Sequence, residues 1–286
     1  MALQLGLFVN PSADRYSETL EIVGAAERGG FDLIGIQDHP YQRRFFDTFA
    51  LIGDLLARTE RLRFFPDVAN LPLRDPPLLA KQAASLDAMS GGRFELGLGA
   101  GTFWDRMAAM GGPRRSPGES VEALEEAIGI IRAGFAAEES VAFDGTYYSL
   151  SGWEPGPPPA HPISLWIGAY QPRMLRLTGR LADGWAPSLG YMKPDALAEA
   201  RKLVDEAASK AGREPADVLG MYNVSGELTD GERGEGPLDG PPSHWVETLA
   251  RWTEELRLGA IILPAQSVGQ VERLASEVVP DLRAIV

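Results

Sequence analysis

Short apolar runs of strand length alternate eight times with longer stretches of helical period along this chain of 286 residues. The runs are apolar on both faces, as in strands covered on both sides of a parallel sheet. Strands are expected at Leu3–Val9, Leu33–Gln37, Arg63–Val68, Phe94–Leu98, Leu165–Gly168, Gly184–Pro187, Leu219–Val224 and Ala260–Leu263. Helices are expected at Tyr16–Arg28, Asp47–Thr59, Pro76–Met89, Glu119–Phe135, Pro172–Leu181, Asp195–Ala211, Ser243–Leu258 and Val268–Val278, with Ser116 or Pro117 marking the start of the fourth and Ser243 capping the seventh. A strand followed by a helix, eight times over, predicts an α/β protein: a (β/α)8 TIM barrel forming one domain over 1–286, with insertions after strands 4 and 7. An open doubly wound sheet is the alternative, because strand order cannot be read from one sequence. Between the fourth helix and the fifth strand, Val141–Tyr148 reads as a hairpin whose Asp144-Gly145 pair suits a type I′ turn.

Composition narrows the function. The net charge of −13 argues against nucleic-acid binding, which needs a basic face. There is no cysteine, and three scattered histidines make a metal site improbable. No apolar run approaches the ~20 residues of a membrane span, and the first nine residues lack the basic start of a signal peptide. The expectation is a cytoplasmic protein acting on a small molecule. All but four of the 27 basic residues are arginine, and Arg43, Arg44, Arg74, Arg106, Arg114, Arg115 and Arg173 all follow strands two to five. Such a grouping on an acidic chain points to an anionic ligand.

In a barrel of this kind, chemistry sits at the C-terminal ends of the strands. Strand two ends in Gln37-Asp38-His39-Pro40, which places an imidazole next to a carboxylate. Imidazole exchanges a proton near neutral pH, so His39 is the candidate acid or base. His161 and His244 fall in a proline-rich loop and a helix's first turn and read as structural. Strand four ends in Gly97-Leu98-Gly99-Ala100-Gly101, where missing Cβ atoms let a flat ligand approach the backbone. The run is not a G-x-G-x-x-G dinucleotide fingerprint, since the sixth position is Thr102 counted from Gly97 and Trp104 counted from Gly99. Gly168 opens a turn into a helix, a junction suited to a phosphate.

Three stretches together resemble the bacterial luciferase-like family of flavin- and deazaflavin-dependent oxidoreductases: Gln37 to Pro40, Asn70-Leu71-Pro72-Leu73-Arg74-Asp75-Pro76, and Ala83 to Gly101 with its Met89-Ser90-Gly91-Gly92-Arg93-Phe94 core. Ile163 to Leu175 and Ala182-Asp183-Gly184-Trp185 are similar to its fifth-strand region. The resemblance, which covers about residues 3 to 190, implies a (β/α)8 barrel using coenzyme F420, an 8-hydroxy-5-deazaflavin, or FMN. Carried over by position, it implies that Asp38 and His39 lie beside the ring as the catalytic pair. It implies a non-prolyl cis peptide at Asp67-Val68 against the ring, and Asn70, Gly99, Gly101 and Asp105 along the ring and ribityl chain. Backbone N–H groups of Gly168, Ala169 and Tyr170, with Arg173 nearby, would meet the phosphate.

Two departures bear on the substrate. Thr102 stands where the family's sugar-phosphate dehydrogenases have a glutamate, and Asp105 where they have asparagine. Phe103, Trp104, Met107 and Met110 would line an apolar pocket instead, a core role being as open for the methionines. The leading expectation is therefore an F420-dependent reductase or dehydrogenase passing hydride to or from an apolar or conjugated small molecule. A two-component FMN-dependent monooxygenase using reduced FMN and oxygen is the alternative, and a barrel that binds a ligand without chemistry is a third. A flavin or deazaflavin reductase would supply reduced cofactor, and an exposed apolar stretch at Trp245–Trp252 would allow a homodimer.

Overall fold

The computed structural model describes residues 2–136 and 139–286. Its strands are β1 (Gln4–Val9), β2 (Leu33–Ile36), β3 (Arg63–Pro66), β4 (Ala69–Asn70), β5 (Leu96–Gly99), β6 (Val141–Asp144), β7 (Ser149–Trp153), β8 (Leu165–Ile167), β9 (Gly184–Trp185), β10 (Leu219–Asn223) and β11 (Ala260–Pro264). All but β6 and β7 belong to one parallel sheet in the order β3-β2-β1-β11-β10-β9-β8-β5-β4. The sheet closes where Phe64 of β3 donates its N–H to Arg93 O at 2.9 Å and accepts from Glu95 N–H at 2.9 Å. β3 and β4 are thus two halves of one barrel strand, parted at Asp67-Val68, and the sheet is the expected ring of eight.

Alternation along each strand sorts side chains between two cores. Leu5, Leu7 and Val9 of β1 point outward under the helices, while Gly6 and Phe8 face the barrel axis. Leu33, Phe65, Trp166, Met221 and Ile262 fill that axis, with Phe65 and Trp166 edge to face at 4.9 Å. Gly6 is glycine for space: a Cβ there would lie 2.7 Å from Ile262 Cδ1 and 2.8 Å from Leu33 Cβ.

The helices are α1 (Tyr16–Arg28), α2 (Thr48–Ala57), α3 (Pro76–Ser90), α4 (Trp104–Ala109), α5 (Pro117–Ala136), α6 (Pro172–Leu181), α7 (Pro194–Lys210), α8 (Pro242–Glu255), α9 (Val268–Arg273) and α10 (Val279–Ile285). Five of them open on proline, including α3, α6 and α7, where its missing N–H removes nothing from the helix. α5 opens on a reciprocal capping box, Ser116 N–H to Glu119 Oε2 at 2.7 Å and Glu119 N–H to Ser116 Oγ at 3.3 Å. None of these helices is long and apolar enough to cross a membrane.

Four expectations need correction. Ser243 caps nothing: the N-cap of α8 is Pro241, without a side-chain bond. The last helix does not stop at Val278 but runs on through a wider π turn at Leu274–Val278 into α10. The β6–β7 hairpin forms, but around a four-residue loop in which Gly145 keeps an ordinary φ, so it is not a type I′ turn. The Glu126 carboxylate of α5 organises that loop by accepting from the N–H groups of Thr146, Tyr147 and Tyr148. Finally, Trp245 and Trp252 are buried in the main core and offer no face to a second copy.

At the parted third strand the Asp67-Val68 peptide is cis, as the resemblance implied. The Val68 side chain lies against three glycines: an added Cβ would come 3.1 Å from Val68 at Gly97, 2.8 Å at Gly99 and 3.1 Å at Gly168. Two of these belong to the glycine cluster at the end of β5, which therefore seats a protein side chain before it can meet any ligand. Gly97 is the tightest, because its Cβ would also fall 2.2 Å from Pro66 O. Gly97→Ala is expected to lose roughly 3 kcal/mol or more of stability in urea titration. Gly24→Ala, on α1 with only the Arg28 guanidinium near, should change stability by no more than about 1 kcal/mol.

Candidate functional site

At the C-terminal ends of β2 to β5 and β8 lies a cavity of about 360 Å³. Val68, Gly99 and Gly168 line it together, while His39, Tyr41 and Phe103 form an aromatic cluster on its wall. The His39 ring stacks on Tyr41 at 5.2 Å and meets the Phe103 edge at 5.5 Å. Across the mouth Tyr170 packs against Tyr191, which is 78% exposed. The His39 ring makes no hydrogen bond within the described residues. Burial lowers its pKa, and Arg106 adds to this while Asp38 opposes it, so the ring is neutral near pH 7. Burial also pushes the Tyr41 hydroxyl up to about 12, so it stays protonated.

Asp38 has both oxygens of its carboxylate occupied within the protein. Its side chain is fully buried and clamped by Arg74, with Nη2 to Oδ1 at 2.6 Å and Nε to Oδ2 at 2.8 Å; the Asn70 N–H adds a third bond to Oδ2 at 2.8 Å. Arg74 continues to Asp47 Oδ2 at 2.9 Å, and its guanidinium lies 4.3 Å over the Phe49 ring. Burial works against the Arg74 charge, but Asp38 and Asp47 outweigh it and hold its pKa above the ordinary value. Asp47 in turn caps α2 through the Ala50 N–H, and Thr48 Oγ1 donates to Gln37 O at 2.7 Å. Asp38 thereby fixes the end of β2, the start of α2 and β4, and with them the backbone that carries His39. Arg74, grouped in the sequence with ligand-binding arginines, is consumed inside the protein.

Asp67 sits where β3 ends, in the space left by Gly35, whose added Cβ would lie 2.9 Å from Asp67 Oδ2. Asn223 Nδ2 donates to Oδ1 at 3.3 Å, while Oδ2 is buried with no hydrogen-bond partner among the described residues. Burial raises the Asp67 pKa to about 7, the Asn223 bond opposing weakly. Asn70 Oδ1 and Asn223 Oδ1 are also buried without partners among the described residues. An orphaned polar atom in a cavity wall is a place for a ligand.

Of the residues singled out in the sequence, Asp38, His39, Asp67, Val68, Asn70, Gly99, Gly101, Gly168 and Tyr170 are brought together around this cavity. Asp105, Ala169 and Arg173 are not. The Asp105 carboxylate is exposed and paired with Arg114 at 2.7 Å, and Arg173 turns away to Glu122 at 2.7 Å. The Ala169 side chain is buried, and its carbonyl accepts from Trp185 Nε1. Gly168 cannot offer its N–H to a phosphate, because it donates to Leu98 O at 3.0 Å. Phe103 lines the cavity, whereas Met107 is fully buried beneath Gly101 and Met110 is exposed elsewhere. His161 is held by Asp87 at 2.7 Å and His244 by Pro237 O at 3.1 Å, both away from the cavity. Tyr191, Ser188 and Asn223 escape the sequence reading, although the rule that reads strands two to five finds them at or just beyond the ends of strands six and seven.

The profile of the luciferase-like monooxygenases matches residues 3–225. The chain belongs to this family. An uncharacterised protein of Mycobacterium tuberculosis is 34% identical over 187 residues, which is 65% of this chain and 62% of that protein. The F420-dependent glucose-6-phosphate dehydrogenase of Microbacterium testaceum is 31% identical over 232 residues, 78% of this chain and 68% of the enzyme. In fold, an F420-dependent secondary alcohol dehydrogenase superposes with a TM-score of 0.87 over 99% of both chains at 18% identity. The aligned part of the first relative is thus less than two thirds of its length. This luciferase-like protein departs from the pattern carried over by position at Asp105 and Arg173, which pair with Arg114 and Glu122, and in the Asp38 carboxylate, which is held by Arg74.

Two outcomes check these electrostatics. Arg74→Met should cost about 3–5 kcal/mol, the cost of leaving a buried Asp38 charge unpaired, measured by chemical denaturation. For Asp67 the folded pKa lies above the unfolded one, so its contribution is greatest below pH 4 and is lost as pH rises towards 7. At about 1.4 kcal/mol per pKa unit the loss is roughly 4 kcal/mol. Asp67→Asn should therefore raise the melting temperature more at pH 8 than at pH 4.5, and an equal change at both would contradict the shift.

Proposed function

We propose that the protein is a coenzyme F420-dependent oxidoreductase that moves hydride to or from a small, apolar or conjugated molecule. The observation that carries this reading is the state of His39. It is half-buried, makes no side-chain hydrogen bond among the described residues, has its pKa lowered by burial, and is set on the wall of a cavity also lined by Val68 over bare glycine backbone.

The residues present fit the coenzyme part by part. A flat ring needs a flat apolar seat, which Val68, Gly99 and Gly168 supply, and Asn70 Oδ1 is an acceptor without a partner among the described residues. The N–H groups of Ala169 and Tyr170 make no bond among the described residues, and α6 begins beside them with no side-chain cap at Gln171. These groups suit a phosphate. Arg43, Arg44 and Arg106 have no ion-pair partner among the described residues, unlike Arg114 and Arg173, and suit a carboxylated tail.

When bound, a deazaflavin supplies a two-electron hydride carrier. His39 moves the accompanying proton. It takes the hydroxyl proton as an alcohol carbon gives up hydride, and returns it in the reverse direction. A neutral imidazole is the form that accepts this proton, and stacking on Tyr41 keeps the ring in place. A reductase or dehydrogenase elsewhere would recycle the coenzyme. The family's own description as monooxygenases keeps reduced FMN with oxygen as the second reading.

Parallel titrations with coenzyme F420 and FMN decide between them: F420 is expected to bind the more tightly, and tighter FMN at every salt concentration would promote the second reading. His39→Ala should keep F420 affinity within about tenfold and lower turnover roughly 10²- to 10⁴-fold. Arg43→Ala with Arg44→Ala should weaken F420 more than a tail-less deazaflavin, and the difference should shrink as salt screens exposed pairs beyond a Debye length of about 8 Å.

A further inference from the structure

A second cavity of about 690 Å³ opens at the ends of β1, β10 and β11, between the barrel mouth and α1. It adjoins the first: Phe8 and Ser188 line both, and the Asp67–Asn223 hydrogen bond joins a residue of one wall to a residue of the other. Its volume falls within the range of small-molecule sites, roughly 300–1,000 Å³.

Its described walls carry no net charge. Among the described residues, Arg15 and Glu18 are its only charged lining groups. They neutralise each other, with Arg15 Nε 2.6 Å from Glu18 Oε2, and Arg15 Nη2 also donates to Gln266 O at 2.8 Å. Among the described lining residues no cation is left over for an anionic substrate. The remaining surface combines apolar groups, Val9, Ile22, Val224 and Pro264, with neutral hydrogen-bonding groups at Asn10, Ser12 and Ser225. One polar group is poised. Asn223 Nδ2 donates to Asp67, which fixes the amide so that Oδ1 is an acceptor, and that atom is buried with no partner among the described residues. A buried acceptor of this kind calls for an O–H or N–H from a ligand.

We propose that this second cavity is the substrate compartment, and that it takes an uncharged, largely apolar molecule bearing a hydroxyl group or the carbonyl derived from it. The assignment rests on the oxidoreductase reading above and specifies its substrate class: neutral carbinols and ketones, not phosphate esters. Phe8 and Ser188 form the shared border across which the substrate's reacting carbon reaches the cofactor cavity. In the oxidising direction the carbinol carbon would pass its hydride to the bound coenzyme and His39, on the far side of that border, would take the proton of the reacting hydroxyl, leaving the ketone, whereas a separate O–H or N–H of the same molecule would meet Asn223 Oδ1.

The test uses the cofactor-free full chain, methyl-labelled at isoleucine and valine, with decahydro-2-naphthol as the neutral probe and glucose 6-phosphate as the anionic one. The bicyclic alcohol is expected to shift the methyl resonances of Ile22 and Val224 saturably at about millimolar concentration or below, while the phosphate ester leaves them unmoved. Ser225→Trp, at an exposed position on the cavity rim, should weaken the alcohol at least about tenfold while leaving F420 affinity unchanged. Ile22→Phe is a second, smaller filling variant with the same expectation. Saturable shifts from glucose 6-phosphate at these methyls would overturn the proposal. So would their indifference to the alcohol, or alcohol binding that neither variant disturbs. Because these readings need no cofactor, failure of F420 to bind would remove the redox reading alone and would appear in a separate titration.

Discussion

The Asp38–Arg74 pair holds the rest of the site in place. A carboxylate buried at the end of β2 would be costly alone, by several kcal/mol even after relaxation. Here both oxygens are engaged, by a two-pronged guanidinium and by the Asn70 amide. The same guanidinium reaches Asp47 at the head of α2 and lies over Phe49. Three segments far apart in sequence are thus tied at one point, and His39 is the next residue along. Burial is the largest influence on this histidine and lowers its pKa, the Asp38 charge opposing and Arg106 adding to the shift.

A second constraint is steric. The third barrel strand is parted at Asp67-Val68, which turns Val68 into the glycine notch and leaves Asp67 in the gap above Gly35. The glycines of β5 and β8 therefore act at one remove. They admit Val68, and Val68 with the bare backbone around it makes the flat seat that a ring would use. The two constraints meet at the cavity. Asp38 secures one wall and Val68 the floor, while Asp67 and Asn223 stand at the border with the larger cavity under α1.

The barrel is legible in the sequence because strands buried on both faces are apolar throughout and helices keep their period. Tyr16–Arg28 and Pro172–Leu181 have in the structure the bounds that periodicity assigns them. The hairpin turn does not follow its local signal, because Glu126 on a neighbouring helix, and not the Asp144-Gly145 pair, decides its shape. At the site, residues at the ends of strands two, three and four fall where expected, since backbone position alone puts them there. Asp105 and Arg173 do not, because their side chains on the following helices pair with Arg114 and Glu122 outside the cavity. The same reason hides the internal role of Arg74. The burial of Trp245 and Trp252 is hidden by periodicity: one face of α8 carries both, and a buried and an exposed apolar face read alike in sequence.

The central claim is that one cavity receives the coenzyme and its neighbour the substrate. A crystal structure of the protein with coenzyme F420 tests this most directly. The expected result is the ring on Val68 with His39 and Tyr41 at its side, the phosphate at the amides of Ala169 and Tyr170, and the cavity beside Asn223 left open. Coenzyme found in that larger cavity, or a ring lying away from Val68 and His39, would contradict it.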